Sequence, residues 1–127
     1  MDFWQVIEER RSVRRFERRD VPEEMVERLL QAAIRAPSAG NRQPWRFFVV
    51  RRQEVKAALA EAAWGQRFVA QAPVVIVVCA EPERSASRYG RRGRELYCLQ
   101  DTAAATEHIL SLIHISEPTR LGMNSYA

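Results

Sequence analysis

The feature that most constrains the fold is that only two segments look like strands, while several look like helices. Residues 45–51 are rich in aromatic and β-branched side chains, as strands are. Residues 73–80 are apolar on both faces, which predicts a central strand. The class is therefore mixed α and β. Because two strands make a poor free-standing sheet, either further strands lie in other segments, or another chain supplies them, or the protein is incomplete.

Helix signals frame these two strands. Asp2 can cap a short first helix that ends near residues 10–12. Pro22, followed by two glutamates, begins a second helix, and Pro37 ends it. Further helices are predicted over residues 53–63 and from residue 95 to about 112, whereas residues 81–93 are predicted to form a polar Arg/Ser/Gly loop.

Length and charge limit the functional classes. The chain has 127 residues, which suits one domain, and a formal net charge of +4. Lys56 is its only lysine, so arginine supplies nearly all the positive charge, and arginine is well suited to bidentate phosphate contacts. The longest apolar run, residues 74–80, is too short to cross a bilayer. The N-terminus lacks a signal-peptide layout, so we expect a cytoplasmic protein without a membrane partner.

Several familiar catalytic motifs are missing. The glycines form neither a dinucleotide-binding turn nor a P-loop, and no nucleophile elbow is present. Cys79 and Cys98 make no recognisable zinc site with the two histidines, and we interpret both thiols as core residues. We name no metal ligand and no catalytic acid or base, since a single histidine such as His108 on a helix is more often a packed residue.

The first chemically loaded segment is the basic segment, residues 10–16, with the sequence Arg-Arg-Ser-Val-Arg-Arg-Phe. A phosphate dianion favours several guanidinium groups and a hydroxyl, and this stretch offers both. It follows the C-terminal end of a helix, where the dipole repels anions, so side chains would have to hold the phosphate. The alternative is a solvated basic turn, paired with Glu8, Glu9 or Glu17.

The second segment is the small-residue loop, residues 37–45, with the sequence Pro-Ser-Ala-Gly-Asn-Arg-Gln-Pro-Trp. Its small side chains leave room for a flat ring to lie close to the backbone. Asn41 and Gln43 can each donate and accept hydrogen bonds at the edge of a heterocycle. The alternative is an ordinary connection between a helix and a strand, for which these residue types are common.

Together, the two segments resemble the nitroreductase family of FMN-dependent oxidoreductases. The apolar strand after Ala72-Pro73 and the stretch Leu-Tyr-Cys-Leu-Gln-Asp-Thr-Ala-Ala-Ala at residues 96–105 add to the likeness. The resemblance covers about residues 3–110. It implies an α+β, nitroreductase-like fold with helices packed around a mixed β-sheet, incomplete in this chain. It also implies a homodimer with FMN at the interface and the long helix in the dimer core.

The resemblance further implies a set of flavin contacts. The residues that fall where the family holds the phosphate and ribityl chain are Arg10, Arg11, Ser12 and Arg14. Those that fall where the other subunit touches the isoalloxazine ring are Pro37, Ser38, Ala39 and Asn41. Gln66 falls where many members place a polar flavin contact. The implied reaction passes electrons from NAD(P)H through flavin N5 to a small-molecule acceptor, such as a nitroaromatic or a quinone, with the protein supplying position and electrostatics.

The end of the chain departs from the family pattern. Residues 111–127 resemble translated sequencing-adaptor or vector sequence. We therefore expect residues 1–110 to be the N-terminal part of a nitroreductase-like domain and residues 111–127 to be a non-native tail.

A second functional class remains open. The chain could be a basic module that binds RNA or another nucleic acid without enzymatic activity. It would use the basic segment together with residues 84–93, where Tyr89 could stack on a base. Acidic residues interspersed throughout, and the lack of a standard nucleic-acid motif, make this alternative the weaker one.

Overall fold

The computed structural model describes residues 2–116. The elements, in chain order, are α1 (Phe3–Glu9), α2 (Glu23–Ile34), β1 (Trp45–Val50), α3 (Gln53–Ala62), α4 (Phe68–Gln71), β2 (Val75–Ala80), α5 (Pro82–Arg92) and α6 (Cys98–Ser116). A 3₁₀ turn over Ala39–Asn41 precedes β1, and one π-helical turn over Gly93–Tyr97 leads into α6. Among these residues no helix is both long and apolar enough to cross a membrane. The cytoplasmic location stays a prediction.

Helix α1 begins where the sequence predicts. The Asp2 carboxylate accepts a hydrogen bond from the Gln5 backbone N–H at 2.9 Å, and the Gln5 side chain accepts one from the Asp2 N–H at the same distance. This reciprocal capping box satisfies donors that the first turn leaves free. Val6 is buried, and Arg10 caps the C-terminal end of the helix. The basic segment therefore begins where regular secondary structure stops.

The core lies between α2, α6 and the sheet. Ala33 on α2 and Ala105 on α6 are fully buried, and their small side chains let the two helices approach closely. Leu29, Trp45 and Ile109 pack in the same cluster. The alanine-rich stretch of the long helix thus contacts another helix within the same chain.

The sheet differs in part from the expectation. Strands β1 and β2 pair antiparallel, from Trp45 opposite Ala80 to Val50 opposite Val75. Within residues 2–116 the sheet has only these two strands, as expected of a nitroreductase-like sheet that is incomplete, but β2 is paired on one side and is not central there. Every residue of β2 is half-buried. An apolar cavity of about 510 Å³, lined by β2 and by side chains including Phe16 and Ile109, lies against it.

The expectation of a polar loop over residues 81–93 is wrong, because this stretch forms helix α5. Pro82 occupies its first turn, where proline is tolerated. Arg94 pairs with Glu83 at 2.8 Å and Arg91 with Glu95 at 2.8 Å, so charge pairing supports a helix that has few apolar residues. Gly90, with φ of 59°, interrupts the helical backbone near its end.

Helix α6 begins and ends later than the predicted range of residue 95 to about residue 112. It begins at Cys98, which is buried as expected, and continues without a break past residue 110, the expected end of the native sequence. Ile113 and His114 are both buried. The division into residues 1–110 and a non-native tail stays a prediction, and residues 117–127 lie outside the described part of the chain.

Candidate functional site

The basic segment follows α1 as an irregular stretch of chain, in which some side chains face the core and others face solvent. Val13 is buried and anchors it, while Arg11, Ser12 and Arg14 are exposed. The Arg14 guanidinium lies over the Phe68 ring, 5.7 Å from its centroid, and the Phe16 ring is 6.4 Å from the same ring. These contacts attach the segment to α4.

The guanidinium groups of this segment are largely free of acidic partners. Arg10 Nε lies 3.7 Å from Glu107 Oε1 on α6, an exposed and weak pair. Among residues 2–116, Arg11, Arg14 and Arg15 are exposed and make no ion pair, so they do not pair with Glu8, Glu9 or Glu17, and the alternative of a solvated basic turn stays open. Because the C-terminal end of α1 disfavours an anion, a phosphate here would depend on these side chains and on the Ser12 hydroxyl.

The small-residue loop is held in an unusual conformation by its own hydrogen bonds. Ser38 Oγ accepts from the Gln43 backbone N–H at 3.0 Å, and the Gln43 side-chain amide donates to Asn41 Oδ1 at 3.1 Å. Gly40, Asn41 and Gln43 all have positive φ, between 52° and 60°. Left-handed backbone costs a non-glycine residue about 1–2 kcal/mol, and such strain concentrates at binding sites.

Helix α5 supports the second half of this loop. Arg42 Nε donates to the Arg84 carbonyl at 3.1 Å, and Arg84 Nη1 donates to the Gln43 carbonyl at 3.1 Å. The Tyr89 ring packs directly against Gly40, leaving no space for a β-carbon there. The loop is therefore a fixed surface and not a flexible linker.

Helix α6 supports the first half. The Ala39 backbone N–H donates to both carboxylate oxygens of Asp101, at 3.3 and 3.4 Å. Asp101 is buried, and this burial raises the pKa of its carboxyl group, opposed by the hydrogen bond from Ala39. His108 lies about two turns further along α6. Its Nδ1 contacts the Ala32 carbonyl at 2.8 Å, so Nδ1 carries the proton and the ring is a packing element.

Gln66 lies in the turn before α4. Its side-chain amide donates to the Ala63 carbonyl at 2.8 Å, within the same turn. The turn leads into Phe68, against which Arg14 and Phe16 pack, so Gln66 precedes the contact of α4 with the basic segment.

The basic segment and the small-residue loop do not meet within one chain. No hydrogen bond, ion pair or ring contact joins them in the part of the chain that the structure describes. Both instead contact α6, through Glu107 and Asp101, which are about 9 Å apart along the helix axis. The two segments therefore lie near the same helix without contacting each other.

Sequence reasoning missed Asp101 and Tyr89 as supports of the loop. Asp101 did carry a signal, because it follows Cys98 by three positions and precedes Ala105 by four, and both neighbours on this helix face are buried. Tyr89 carried none, since its contact with Gly40 arises only from the tertiary fold.

The segment considered for nucleic-acid binding, residues 84–93, keeps its arginines exposed. Arg84 and Arg91 pair with glutamates, whereas Arg88 and Arg92 make no ion pair among residues 2–116. Tyr89 packs edge-on against Tyr97, with ring centroids 5.1 Å apart, and so is not free to stack on a base.

The chain is similar to proteins of a known family. Residues 7–67, which include both segments, match the Nitroreductase family. A relative from Archaeoglobus fulgidus named "Putative NADH dehydrogenase/NAD(P)H nitroreductase" is 43% identical over 101 residues, covering 80% of this chain and 55% of its own length.

Solved structures share the fold. The structure of a "Putative NADH Oxidase" from Clostridium acetobutylicum superposes with a TM-score of 0.77 at 35% identity, covering 88% of this chain and 63% of that one. An "FMN-dependent Nitroreductase" from Clostridium difficile R20291 gives a TM-score of 0.76 at 26% identity, covering 90% and 61%.

These matches define the fold as that of the nitroreductases, of which residues 2–116 hold only part. The chain is similar to members of the nitroreductase family. It spans about one fifth to just over one half of the length of such curated relatives.

Proposed function

We propose that this chain is part of an FMN-dependent oxidoreductase that takes electrons from NAD(P)H. The observation that carries the proposal is the basic segment, where Arg11, Arg14 and the Ser12 hydroxyl are exposed and the two guanidinium groups lack a carboxylate partner among residues 2–116. A dianionic phosphate fits such a set of donors. The family match and the FMN-dependent structural neighbour support the choice of flavin.

The remaining candidate residues would contact different parts of the flavin. Arg10, beside Glu107, and Arg14, over Phe68, would hold the phosphate and ribityl chain from one side. The fixed loop with Pro37, Ser38, Ala39 and Asn41 would lie against the isoalloxazine ring from the other subunit. Gln66, at the start of α4, would supply a further polar contact once its amide turns from Ala63.

Bound FMN would supply the redox chemistry, accepting a hydride equivalent from NAD(P)H and passing electrons to an acceptor such as a nitroaromatic or a quinone. The chain's own groups bind and orient. The arginines hold the phosphate, and the strained loop presents rigid backbone to the ring without reorganising at the moment of reaction.

We propose a homodimer in which the basic segment of one subunit and the small-residue loop of the other hold the flavin, as the family resemblance implies. Large apolar side chains on α1 are open to solvent, with Phe3 73% and Trp4 70% exposed. Leu99 at the start of α6 is also exposed. Exposed apolar side chains of this size are typical of surfaces that a partner covers.

The test compares FMN with riboflavin, which lacks the phosphate. Replacing Arg11 and Arg14 with alanine should weaken FMN binding by about 10- to 100-fold, the loss expected for charge-assisted hydrogen bonds, and should weaken riboflavin binding far less, since only the ribityl contact is lost there. Arg28→Ala is the matched control, since Arg28 is an exposed arginine on α2 outside the segment. Equal losses for both flavins, or a loss in the control, would contradict the phosphate role.

We also propose that native sequence ends near residue 110. Residues 111–116 continue α6, so the proposal rests on the likeness of residues 111–127 to translated adaptor or vector sequence. Sequencing of the source DNA tests the proposal, and an authentic codon run through residue 127 would overturn it.

A further inference from the structure

We propose that Asp101 is the positioning residue of the small-residue loop: by holding the Ala39 backbone N–H, it fixes the surface that the chain presents to the isoalloxazine ring and thereby sets flavin affinity. The inference rests on the proposed function, because only there does the loop touch FMN. It concerns a residue on α6 that touches no substrate or cofactor, and whose effect would pass entirely through the loop.

The burial of Asp101 needs a reason. The residue lies on the face of α6 that also carries Cys98 and Ala105, both fully buried. Removing a carboxylate from water is costly, and an apolar residue of similar size would fill the same space at lower cost. A carboxylate at this position is therefore not explained by packing alone.

The only partner of the carboxylate points to the loop. Among residues 2–116 no arginine, lysine or histidine pairs with Asp101, and its one donor is the Ala39 N–H. Both oxygens lie at nearly equal distance from this nitrogen, 3.4 and 3.3 Å, so the N–H is shared between them. Because the two contacts act together, they restrict both the position and the direction of the Ala39 peptide.

Ala39 is also the place where such a restraint is needed. Helix α5 already holds the loop from Gly40 onward, through Tyr89, and holds Gln43 through Arg84. The peptide before Gly40 has no contact of this kind with α5 in the described residues, and it immediately precedes a left-handed backbone. Without Asp101, the first end of the strained turn would be held only by hydrogen bonds within the loop, such as that of the Gln43 N–H with Ser38 Oγ.

The experiment measures the loop first without flavin and then with it. Amide hydrogen exchange of Ala39 is followed by NMR in the flavin-free chain, and FMN affinity is measured by fluorescence titration. Asp101→Ala removes the acceptor, whereas Asp101→Asn keeps one oxygen. His108→Ala is the matched control, because it removes a contact between α6 and α2 that does not involve the loop.

We expect Asp101→Ala to speed exchange of the Ala39 amide by about tenfold or more and to weaken FMN binding by about 5- to 10-fold. Asp101→Asn should restore most of both. His108→Ala should lower the melting temperature without changing either property. Unchanged Ala39 exchange in Asp101→Ala would overturn the inference, as would a loss of FMN affinity in His108→Ala equal to that in Asp101→Ala.

The proposed function and the positioning role of Asp101 can fail separately. If the wild-type chain binds no FMN at any concentration tested, the proposed function is contradicted for this chain, and the effect of Asp101 on flavin affinity is contradicted with it. If the wild-type chain binds FMN and Asp101→Ala frees the Ala39 amide at no cost in affinity, the proposed function stands and the positioning role of Asp101 is wrong.

Discussion

Gly40 offers the sharpest test of how the small-residue loop is built. Its φ of 60° is left-handed, which costs a residue with a β-carbon about 1–2 kcal/mol. A β-carbon there would also collide with the Tyr89 hydroxyl and come within 3.2 Å of Arg88 Cδ. Moving Tyr89 would disturb its edge contact with Tyr97, worth about 0.5–1.5 kcal/mol. Gly40→Ala should therefore lower the free energy of unfolding by about 2–3 kcal/mol.

Gly65 is the matched control. Its φ of 71° is also left-handed, but no atom lies within 4 Å of the position that a β-carbon would take. Urea unfolding should show Gly65→Ala losing only the conformational cost of about 1–2 kcal/mol. Adding Tyr89→Phe to Gly40→Ala should recover part of the difference, because the hydroxyl is the nearest atom. Equal losses at the two glycines would refute the claim that α5 packs tightly against the loop.

Three further results are expected. Burial raises the pKa of the Asp101 carboxyl group, so its contribution to stability is full below about pH 4 and is lost as pH rises through the raised pKa. Urea midpoints measured from about pH 4 to about pH 8 should therefore fall more in the wild-type chain than in Asp101→Asn. Identical profiles would contradict this. Ile109→Ala should cost about 2–5 kcal/mol of unfolding free energy because Ile109 lies in the core, whereas half-exposed Ile34→Ala should cost far less; equal costs in urea unfolding would show that the core is placed wrongly. His114→Leu should leave thermal stability unchanged or raise it, since the buried Nε2 has no partner among the described residues; a clear loss would mean that this nitrogen has one.

Local signals predicted much of the fold. The Asp2 cap, the Pro22 helix start and both strands depend on neighbours in sequence, and the structure has them within a few residues of the expected positions. The family resemblance was confirmed by the comparisons. The flavin contacts named from it stay predictions.

Features that depend on distant residues could not be predicted in this way. Helix α5 has few apolar residues and is supported by ion pairs such as that of Glu83 with Arg94, eleven positions apart. Lys56 is buried because Nζ donates to the Ala72 carbonyl at 2.7 Å, although a lone lysine on a helix is usually exposed. The supports of the small-residue loop are equally non-local, since Asp101 lies 62 positions from Ala39.

The central claim is that this chain carries the binding determinants of a dimeric flavoprotein. The most direct test is a visible absorption spectrum of the purified chain, taken after FMN is added and the mixture is passed through gel filtration. We predict a flavin spectrum that elutes with protein at the size of a dimer and is lost when Arg11 and Arg14 are replaced. A colourless protein peak, with all FMN eluting as free flavin, would contradict the claim for this chain.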